Sequence, residues 1–278
     1  MGGIRDKSRD TQLTVQERCR PQKSHSVCLL ALAVCLSSVK LGKGAGQAAS
    51  AADDSGSQAV VQLLAIGPGG QEQNRECSAT GFLINEKGYI LTNAHVVQDA
   101  HRCLAASPKS KIMAKVSGED PHAARAVSCD LVGLDAVHDL AVLKMERPLA
   151  TIGGTAPYDY ALLNPADFAD GTPVLVTGHP VFAWQPLTQT GKVIRRMLVQ
   201  PSQGNGPTAG WEPTEAFVID IKLEEGHSGS PVYLPHGAGV IGIIVGQEAS
   251  DPTHSVAVSA RHAIELLDRY NVKWYAKR

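Results

Sequence analysis

The sequence is poor in aromatic residues, in charge and in long apolar runs. Aromatic residues make up 5% and charged residues 19% of the 278 positions, whereas 27 positions are glycine. Low charge with many glycines excludes a disordered acidic tail, a coiled coil and a long helical bundle. The formal net charge of −1 argues against a broad basic face, so no nucleic acid partner is expected. The length suits one large or two small domains, and the 43% hydrophobic content is enough for a full core.

The N-terminal region differs from the rest of the chain. Its apolar run, Val27 to Val39, has 13 residues, follows several basic residues and precedes small ones. Such a run is too short to cross a bilayer comfortably as a helix. It predicts a secretory signal peptide over residues 1–49, with an uncleaved anchor as the alternative, and a linker over residues 50–58. A secreted or periplasmic protein is expected, without membrane contact beyond this segment.

Cysteine and histidine spacings give no sign of a metal site. The chain has six cysteines but no CxxC pair and no paired Cys/His spacing, so neither a metal nor another cofactor is expected. Only Cys77, Cys103 and Cys129 follow the apolar segment. In an oxidising compartment, three cysteines predict one disulfide and one spare thiol.

Short β-type runs bounded by turn residues recur from Val60 onward. A Gly/Pro-rich stretch near residues 152–165 separates two sets of runs, and only residues 260–270 show helical spacing. The pattern predicts an all-β body of two similar halves, residues 59–155 and 156–278, with one C-terminal helix. The runs are residues 60–66, 80–84, 89–92, 111–116 and 140–143, then 173–177, 191–199, 217–219, 230–233, 239–245 and 255–258.

Three segments carry residue types that nucleophilic catalysis needs. A β-run leads to His95, Asp139 begins an apolar strand, and Ser228 stands between glycines. A serine hydroxyl needs an imidazole to take its proton, and the imidazole needs a carboxylate to orient it. The glycines let the backbone turn tightly, so the N–H groups of Gly226 and Ser228 are predicted to form an oxyanion hole.

Each of these residues also has a purely structural interpretation. Alone, His95 fits a structural histidine, Asp139 a turn residue and the serine motif a loop. His227, next to the serine, is an alternative base. The order His, Asp, Ser in an all-β chain favours catalysis, with the first two residues in one half and the serine in the other. The three would then meet in a cleft between the halves.

With these motifs the sequence resembles the chymotrypsin-like serine proteases, in particular the bacterial branch of the HtrA/Deg protease domain and the V8-like glutamyl endopeptidases. The matching segments are Thr80–Ile84, Leu91–Val97, Asp139–Leu143 and Gly226–Pro231. The resemblance implies two six-stranded antiparallel β-barrels with a C-terminal helix. It also implies peptide-bond hydrolysis through an acyl-enzyme, acting on a protein or peptide substrate.

The chain departs from the family pattern at several positions. His227 stands where the family usually has Asp or Asn, and its side chain is expected to affect the leaving-group side of the cleft. Ser230 replaces the second glycine. Ile244 replaces the histidine of the glutamyl enzymes, so glutamyl specificity loses its main support. Only 50 residues follow Ser228, so no PDZ domain is expected.

The resemblance also suggests residues around the site. Lys222 would reach the specificity pocket or point to solvent, and the segment Ile244, Val245 and Gly246 would pair with the substrate as an added strand. Related enzymes have a disulfide near the catalytic histidine, which here suggests Cys77–Cys103, with two unpaired thiols as the alternative. Cys129 would then be a spare thiol buried in a strand.

Two other functions fit parts of the pattern. An inactive homologue could use the same barrels for binding or adhesion, although His95, Asp139 and Ser228 are all present. A serine esterase of another fold is disfavoured, because the sequence lacks a G-x-S-x-G elbow around Ser228 and alternating helices.

Overall fold

A computed structural model describes residues 59–66, 78–104, 111–116, 125–147, 160–181, 183, 185–199 and 213–276, apart from the side chains of residues 101–104, 116 and 125. The predicted signal peptide (1–49) and linker (50–58) lie outside the described residues. The predicted disulfide also lies outside them, because Cys77 and the side chain of Cys103 are not described.

The first six strands form a closed antiparallel barrel in the order β1-β2-β3-β6-β5-β4. Helix α1 (Ala94–Leu104) follows β3 and packs on this barrel. The strands are β1 (Val60–Ile66), β2 (Ser78–Leu83), β3 (Tyr89–Thr92), β4 (Lys111–Val116), β5 (Arg125–Asp135) and β6 (Leu140–Met145).

The next six strands close a second antiparallel barrel in the order β10-β11-β12-β9-β8-β7. Helix α2 (Ala260–Arg269) follows directly, and its first turn is capped by the Ser259 hydroxyl, which accepts from Arg261 N. The strands are β7 (Pro173–Gly178), β8 (Leu187–Val199), β9 (Thr214–Ile219), β10 (Pro231–Tyr233), β11 (Val240–Gln247) and β12 (Ser255–Ser259). The expected chymotrypsin-like pair of barrels with a C-terminal helix is confirmed.

The barrels bury both faces of several strands. In β6, Ala141 and Leu143 belong to the core of the first barrel, while Leu140 and Val142 belong to a cluster that also contains residues of the second barrel and of α2. Successive side chains of a strand point to opposite faces. The continuous apolar run after Asp139 therefore fits a strand with one face inside its barrel and the other against the second barrel.

Two elements differ from the expectation. The chain after β3 forms α1, so the prediction of a single, C-terminal helix is wrong, and His95 lies in the first turn of a helix rather than at a strand end. Val96, Val97 and Ala100 pack into the first core, a helical spacing. The paired β-branched valines favoured a strand locally, and tertiary packing overrides that preference.

Strand β5 was not among the runs identified from the sequence. It is 11 residues long, and a bulge at Val132 shifts its register against β6. A bulge breaks the alternation of apolar and polar residues that marks a strand. The spare thiol of Cys129 is buried in β5 as expected, and burial raises its pKa to about 12. Within the described part of the chain, neither helix is long and apolar enough to span a membrane.

Candidate active site

His95 and Asp139 are joined by two hydrogen bonds. The main-chain N–H of His95 donates to Asp139 Oδ1 at 2.9 Å, and His95 Nδ1 lies 2.6 Å from Asp139 Oδ2. An ionised carboxylate can only accept, so Nδ1 carries the hydrogen and Nε2 is left as an acceptor. This is the tautomer that a general base needs.

The backbone of Asp139 is held as firmly as its side chain. Asp139 has φ +54, in the left-handed region that Asp and Asn tolerate better than most residues. Its carbonyl accepts from the side-chain amide of Asn93 at 3.0 Å, and Asn93 is fully buried. The preceding turn is closed by Asp135 Oδ1, which accepts from the N–H groups of Val137 and His138.

The surroundings of His95 alter its basicity. Burial acts to lower the pKa of His95, but the hydrogen bond and negative charge of Asp139, with a smaller effect of Asp99, raise it above 6.5. The imidazolium is therefore stabilised relative to an isolated histidine. An imidazole in this setting takes up a proton more readily than it would in water.

The loop that carries Ser228 is fixed mainly through backbone atoms. The carbonyl of Ser228 accepts from Thr80 N at 2.9 Å, and the carbonyl of Gly226 accepts from Thr80 Oγ1 at 2.7 Å. Gly229 N donates to the carbonyl of Ile244 in β11. The serine loop of the second barrel is thus tied to β2 of the first barrel.

Glycine is required at two positions of this loop. Gly226 has φ +97 and Gly229 has φ +85, values that glycine adopts at little cost. A Cβ atom on Gly226 would lie 2.3 Å from the carbonyl oxygen of His179, and one on Gly229 would lie 2.0 Å from that of Thr80. Both glycines therefore permit the approach of another backbone segment as well as a positive φ.

The peptide before Gly226 is oriented by a contact outside the loop. The carbonyl of Glu225 accepts from Val181 N at 3.0 Å. In a trans peptide the N–H points away from the carbonyl, so the N–H of Gly226 is directed to the opposite side. Among the described residues, the N–H groups of Gly226 and Ser228 donate to no protein acceptor.

His95 and Ser228 line the same cleft, which has a volume of about 360 Å³. Gly226 also lines it, and so do the acidic residues Asp99 and Glu225. The structure therefore brings together the predicted base, its carboxylate partner, the predicted nucleophile and the glycine of the predicted oxyanion hole. The contributing segments come from both barrels.

His227 does not face this cleft. The residue is 1% exposed, and its Nδ1 lies 3.0 Å from the carbonyl of Glu224, to which it donates. Burial lowers the pKa of His227 against a smaller opposing effect of Glu224. The expectation that this side chain affects the leaving-group side of the cleft is not met, and a buried imidazole bonded within its own turn is poorly placed as a base.

His179 is a second buried histidine near the serine loop. It is 1% exposed, and burial lowers its pKa to about 4, with Lys115 and His227 adding to the effect. Within the described residues both of its ring nitrogens lack a hydrogen-bond partner. The imidazole is therefore neutral at ordinary pH.

The residues predicted to bind substrate lie in different environments. Lys222 is exposed. Ile244 is 1% exposed and packs in the core of the second barrel, and its N–H and carbonyl are bonded to Ser230 and Gly229. Val245 and Gly246 are half-buried. None of these four residues lines the cleft of His95 and Ser228.

Sequence reasoning missed several residues that fix the site. In the sequence, Thr80 is only part of a β-run and Asn93 is only part of the histidine motif, and no motif includes Val181. Asn93 carried a usable signal, because an amide at the end of an otherwise apolar strand is usually hydrogen-bonded when buried. Nothing in the local sequence indicated that Thr80 or Val181 would contact the serine loop.

Comparison with known proteins agrees with this architecture. A family model described as a trypsin-like peptidase domain matches residues 79–243. A probable periplasmic serine endoprotease DegP-like from Pseudomonas fulva (strain 12-X) is 30% identical over 185 residues, which are 66% of this chain and 32% of that protein. The chain spans about a third of the length of the curated relatives it matches first.

Solved structures show the same fold. The active form of the Rv3671c protease from M. tuberculosis has a TM-score of 0.56 at 18% identity, covering 80% of this chain and 85% of that one. A serine endoprotease from Yersinia pestis has a TM-score of 0.54 at 20% identity, covering 77% and 63%. Because the family model covers more than half of the sequence, the chain belongs to the family of trypsin-like peptidase domains.

Proposed function

We propose that the chain is a serine endopeptidase that hydrolyses protein or peptide substrates through an acyl-enzyme. The observation that carries this proposal is the imidazole of His95, hydrogen-bonded to Asp139, in the same cleft as Ser228. Family membership supports it, since the relatives bear the names of serine endoproteases. Catalytic inactivity is disfavoured because all three residue types are present.

In the proposed reaction, His95 Nε2 takes the proton of Ser228 as Oγ attacks the substrate carbonyl. The carboxylate of Asp139 keeps the hydrogen on Nδ1 and stabilises the imidazolium. His95 then gives the proton to the leaving amine. In the second stage, His95 takes a proton from water as the water attacks the acyl-enzyme, and it returns that proton to Ser228 Oγ. Negative charge on the carbonyl oxygen would be met by the N–H groups of Gly226 and Ser228.

The substrate would lie against β11. Ile244 already uses its N–H and carbonyl within the protein, so an added substrate strand would pair with Val245 and Gly246. Lys222 has no role in this proposal beyond the surface charge of an exposed side chain.

Reaction with a fluorophosphonate tests the proposal directly. The reagent should label the wild-type protein at Ser228, and Ser228→Ala should lose both labelling and peptide turnover. Ser230→Ala is the matched control, because Ser230 lies two residues away, is buried and does not line the cleft. Labelling that persists in Ser228→Ala, or a wild-type protein that neither labels nor cleaves peptides, would contradict the proposal.

We also infer that the protein acts in the periplasm or is secreted. The DegP-like relatives are named periplasmic, and the N-terminal segment has the pattern of a signal peptide. Cell fractionation with N-terminal sequencing of the product tests this, since a periplasmic or secreted form should begin near residue 50. A protein found only in the cytoplasm would contradict it.

A further inference from the structure

Two histidines stack on each other outside the cleft. The rings of His138 and His262 have centroids 4.0 Å apart and planes 11° apart. His138 lies in the turn between β5 and β6 of the first barrel, and His262 lies on α2. Their side chains are 12% and 9% exposed. The stack is therefore a buried contact between the turn before Asp139 and the C-terminal helix.

Hydrogen bonds fix both rings. His262 Nε2 accepts from the main-chain N–H of Glu215 at 2.9 Å, so its hydrogen is on Nδ1, 3.2 Å from Glu265 Oε2. His138 Nδ1 lies 3.0 Å from Asp135 Oδ2 and donates to it. A proton on His262 Nε2 would remove the acceptor of Glu215. The hydrogen bonds thus fix the orientation of both rings and leave His262 Nε2 as an acceptor.

Asp135 joins this pair to the far end of α2. Its carboxylate is 6% exposed, closes the turn through Oδ1, and accepts from His138 and from Arg269 Nη1 (3.3 Å) through Oδ2. Burial acts to raise the pKa of Asp135, but His138 and Arg269 together hold it below its usual value. The turn is therefore fastened to α2 near both ends of the helix.

Asp139 follows this turn directly and precedes a strand that packs on the same helix. Leu140 and Val142 share a buried cluster with Leu266 and Leu267 of α2. No described residue of α2 lines the cleft. The helix can therefore influence the site only indirectly, and the turn and strand on either side of Asp139 give it a direct route to that carboxylate.

We propose that His138 and His262 are positioning residues whose stack holds Asp139 in place for its hydrogen bonds to His95. The proposal rests on the proposed function, in which that pair acts as base and orienting carboxylate. Rings stacked across two elements have little freedom to slide without losing contact area or a hydrogen bond. Loss of the stack lets the turn relax and moves the carboxylate, and small displacements of catalytic groups reduce rates strongly.

The test compares His138→Asn, His262→Gln and the double variant. Asparagine can still donate to Asp135, and the glutamine oxygen can still accept from Glu215 N–H. Each change therefore removes the stacked ring and keeps the hydrogen bond. We expect kcat for a peptide to fall about tenfold in each, with KM within about twofold. The double variant should be no slower than either single one, because both act through one contact.

A second readout follows the His95–Asp139 contact itself. If the carboxylate moves, its effect on the pKa of His95 weakens, and the acid limb of kcat/KM shifts to lower pH. The proton NMR signal of His95 Nδ1–H should move in the same variants, and this measurement does not depend on turnover. His254→Gln, on the second barrel outside the stack, is the matched histidine control and should change none of these.

The outcomes separate the two proposals. Lack of fluorophosphonate labelling in the wild-type protein would contradict the proposed function, whereas the NMR signal would still report on the stack. Wild-type kcat, an unchanged acid limb and an unchanged Nδ1 signal in the variants would overturn the positioning role, even if their melting temperatures fall. Multiplicative losses in the double variant would also overturn it, because they would mean two independent contacts.

Discussion

The two halves of the candidate site are built in different ways. In the first barrel, His95 and Asp139 are held mainly by side-chain hydrogen bonds, including one from the amide of Asn93. In the second barrel, the loop around Ser228 is held mainly by backbone hydrogen bonds and by glycines at positive φ. The first half should therefore be sensitive to side-chain chemistry, and the second to anything that alters the path of the main chain.

The largest effect is expected from changing the carboxylate alone. Asp139→Asn should lower kcat about 10⁴-fold, because an amide can donate to His95 and favours the wrong tautomer. Activity needs neutral His95 and is lost as pH falls through its pKa, which Asp139 raises above 6.5. Removing the charge should therefore move the acid limb of the residual kcat/KM to lower pH.

A pH profile of wild type and Asp139→Asn checks this prediction. Asp167→Asn, an exposed carboxylate that does not line the cleft, is the control and should behave like wild type. A kcat within tenfold of wild type in Asp139→Asn would contradict the side-chain account of the first half.

The backbone account of the second half is tested by a glycine pair. In Gly229→Ala, the added Cβ would lie 2.0 Å from the carbonyl oxygen of Thr80, so the serine loop would have to shift. The shift would misplace the N–H groups of the proposed oxyanion hole. We therefore expect kcat to fall about 10²-fold to 10³-fold, as it does when an oxyanion donor is lost. Gly171 has nearly the same φ, +83, but a Cβ there would meet nothing within 4 Å.

Gly171→Ala should therefore cost only about 1 kcal/mol of stability from its positive φ, with kcat unchanged. Peptide kinetics and urea unfolding of both variants separate the cost of a positive φ, which both positions share, from the steric clash with Thr80, which only Gly229→Ala has. Equal effects of the two substitutions on kcat would show that close approach to β2 is not what places the serine loop.

The free energy of unfolding at acid pH should depend on His179, the buried histidine near the serine loop of the second barrel. Its pKa is 6.5 when unfolded and about 4 when folded, so the unfolded chain takes up the proton first. The contribution of neutral His179 to the free energy of unfolding is fully present above pH 6.5 and is lost as the pH falls toward 4. The loss should approach roughly 3 kcal/mol.

Urea unfolding between pH 7.5 and pH 4 measures this loss. His179→Gln cannot be protonated, so its stability should fall less steeply over the same range. The exposed His236 provides the control His236→Asn, which should keep the wild-type slope. Parallel curves for wild type and His179→Gln would contradict the prediction.

The smallest effect is expected from the residue before the serine. His227→Ala should lower kcat about fivefold to tenfold, because the turn loses a side-chain hydrogen bond to the carbonyl of Glu224 worth about 1 kcal/mol. His227→Asn can still donate to that carbonyl and should stay within about threefold of wild type. Steady-state kinetics decide between them, and a larger loss in His227→Asn than in His227→Ala would contradict a role for this hydrogen bond.

Much of the fold could be predicted because several strands coincide with apolar runs in the sequence. Strand β3 has the bounds that its apolar run indicated, and the run Leu140–Leu143 lies within β6. The two failures have physical causes. Val96 and Val97 favour strands but pack as a helix against the first core, and the bulge at Val132 hides the alternation of β5.

The candidate site also has residues that the local sequence reveals and residues that it does not. Histidine, aspartate and serine in their motifs, with glycines around the serine, are visible in the sequence because their chemistry is specific. Thr80 was not recognisable, since its hydroxyl acts on Gly226, a residue 146 positions away. A threonine in a β-run has no local sign of such a partner.

The sequence by itself therefore determined the class of fold and the residue types available for catalysis, because side-chain periodicity and chemistry are local properties. Only the closed barrels decided that His95 lies in the first turn of a helix, that His227 turns away from the cleft and that the stack of His138 on His262 backs Asp139. These arrangements depend on contacts between residues far apart in the chain, and packing and burial select them only when the whole domain has closed.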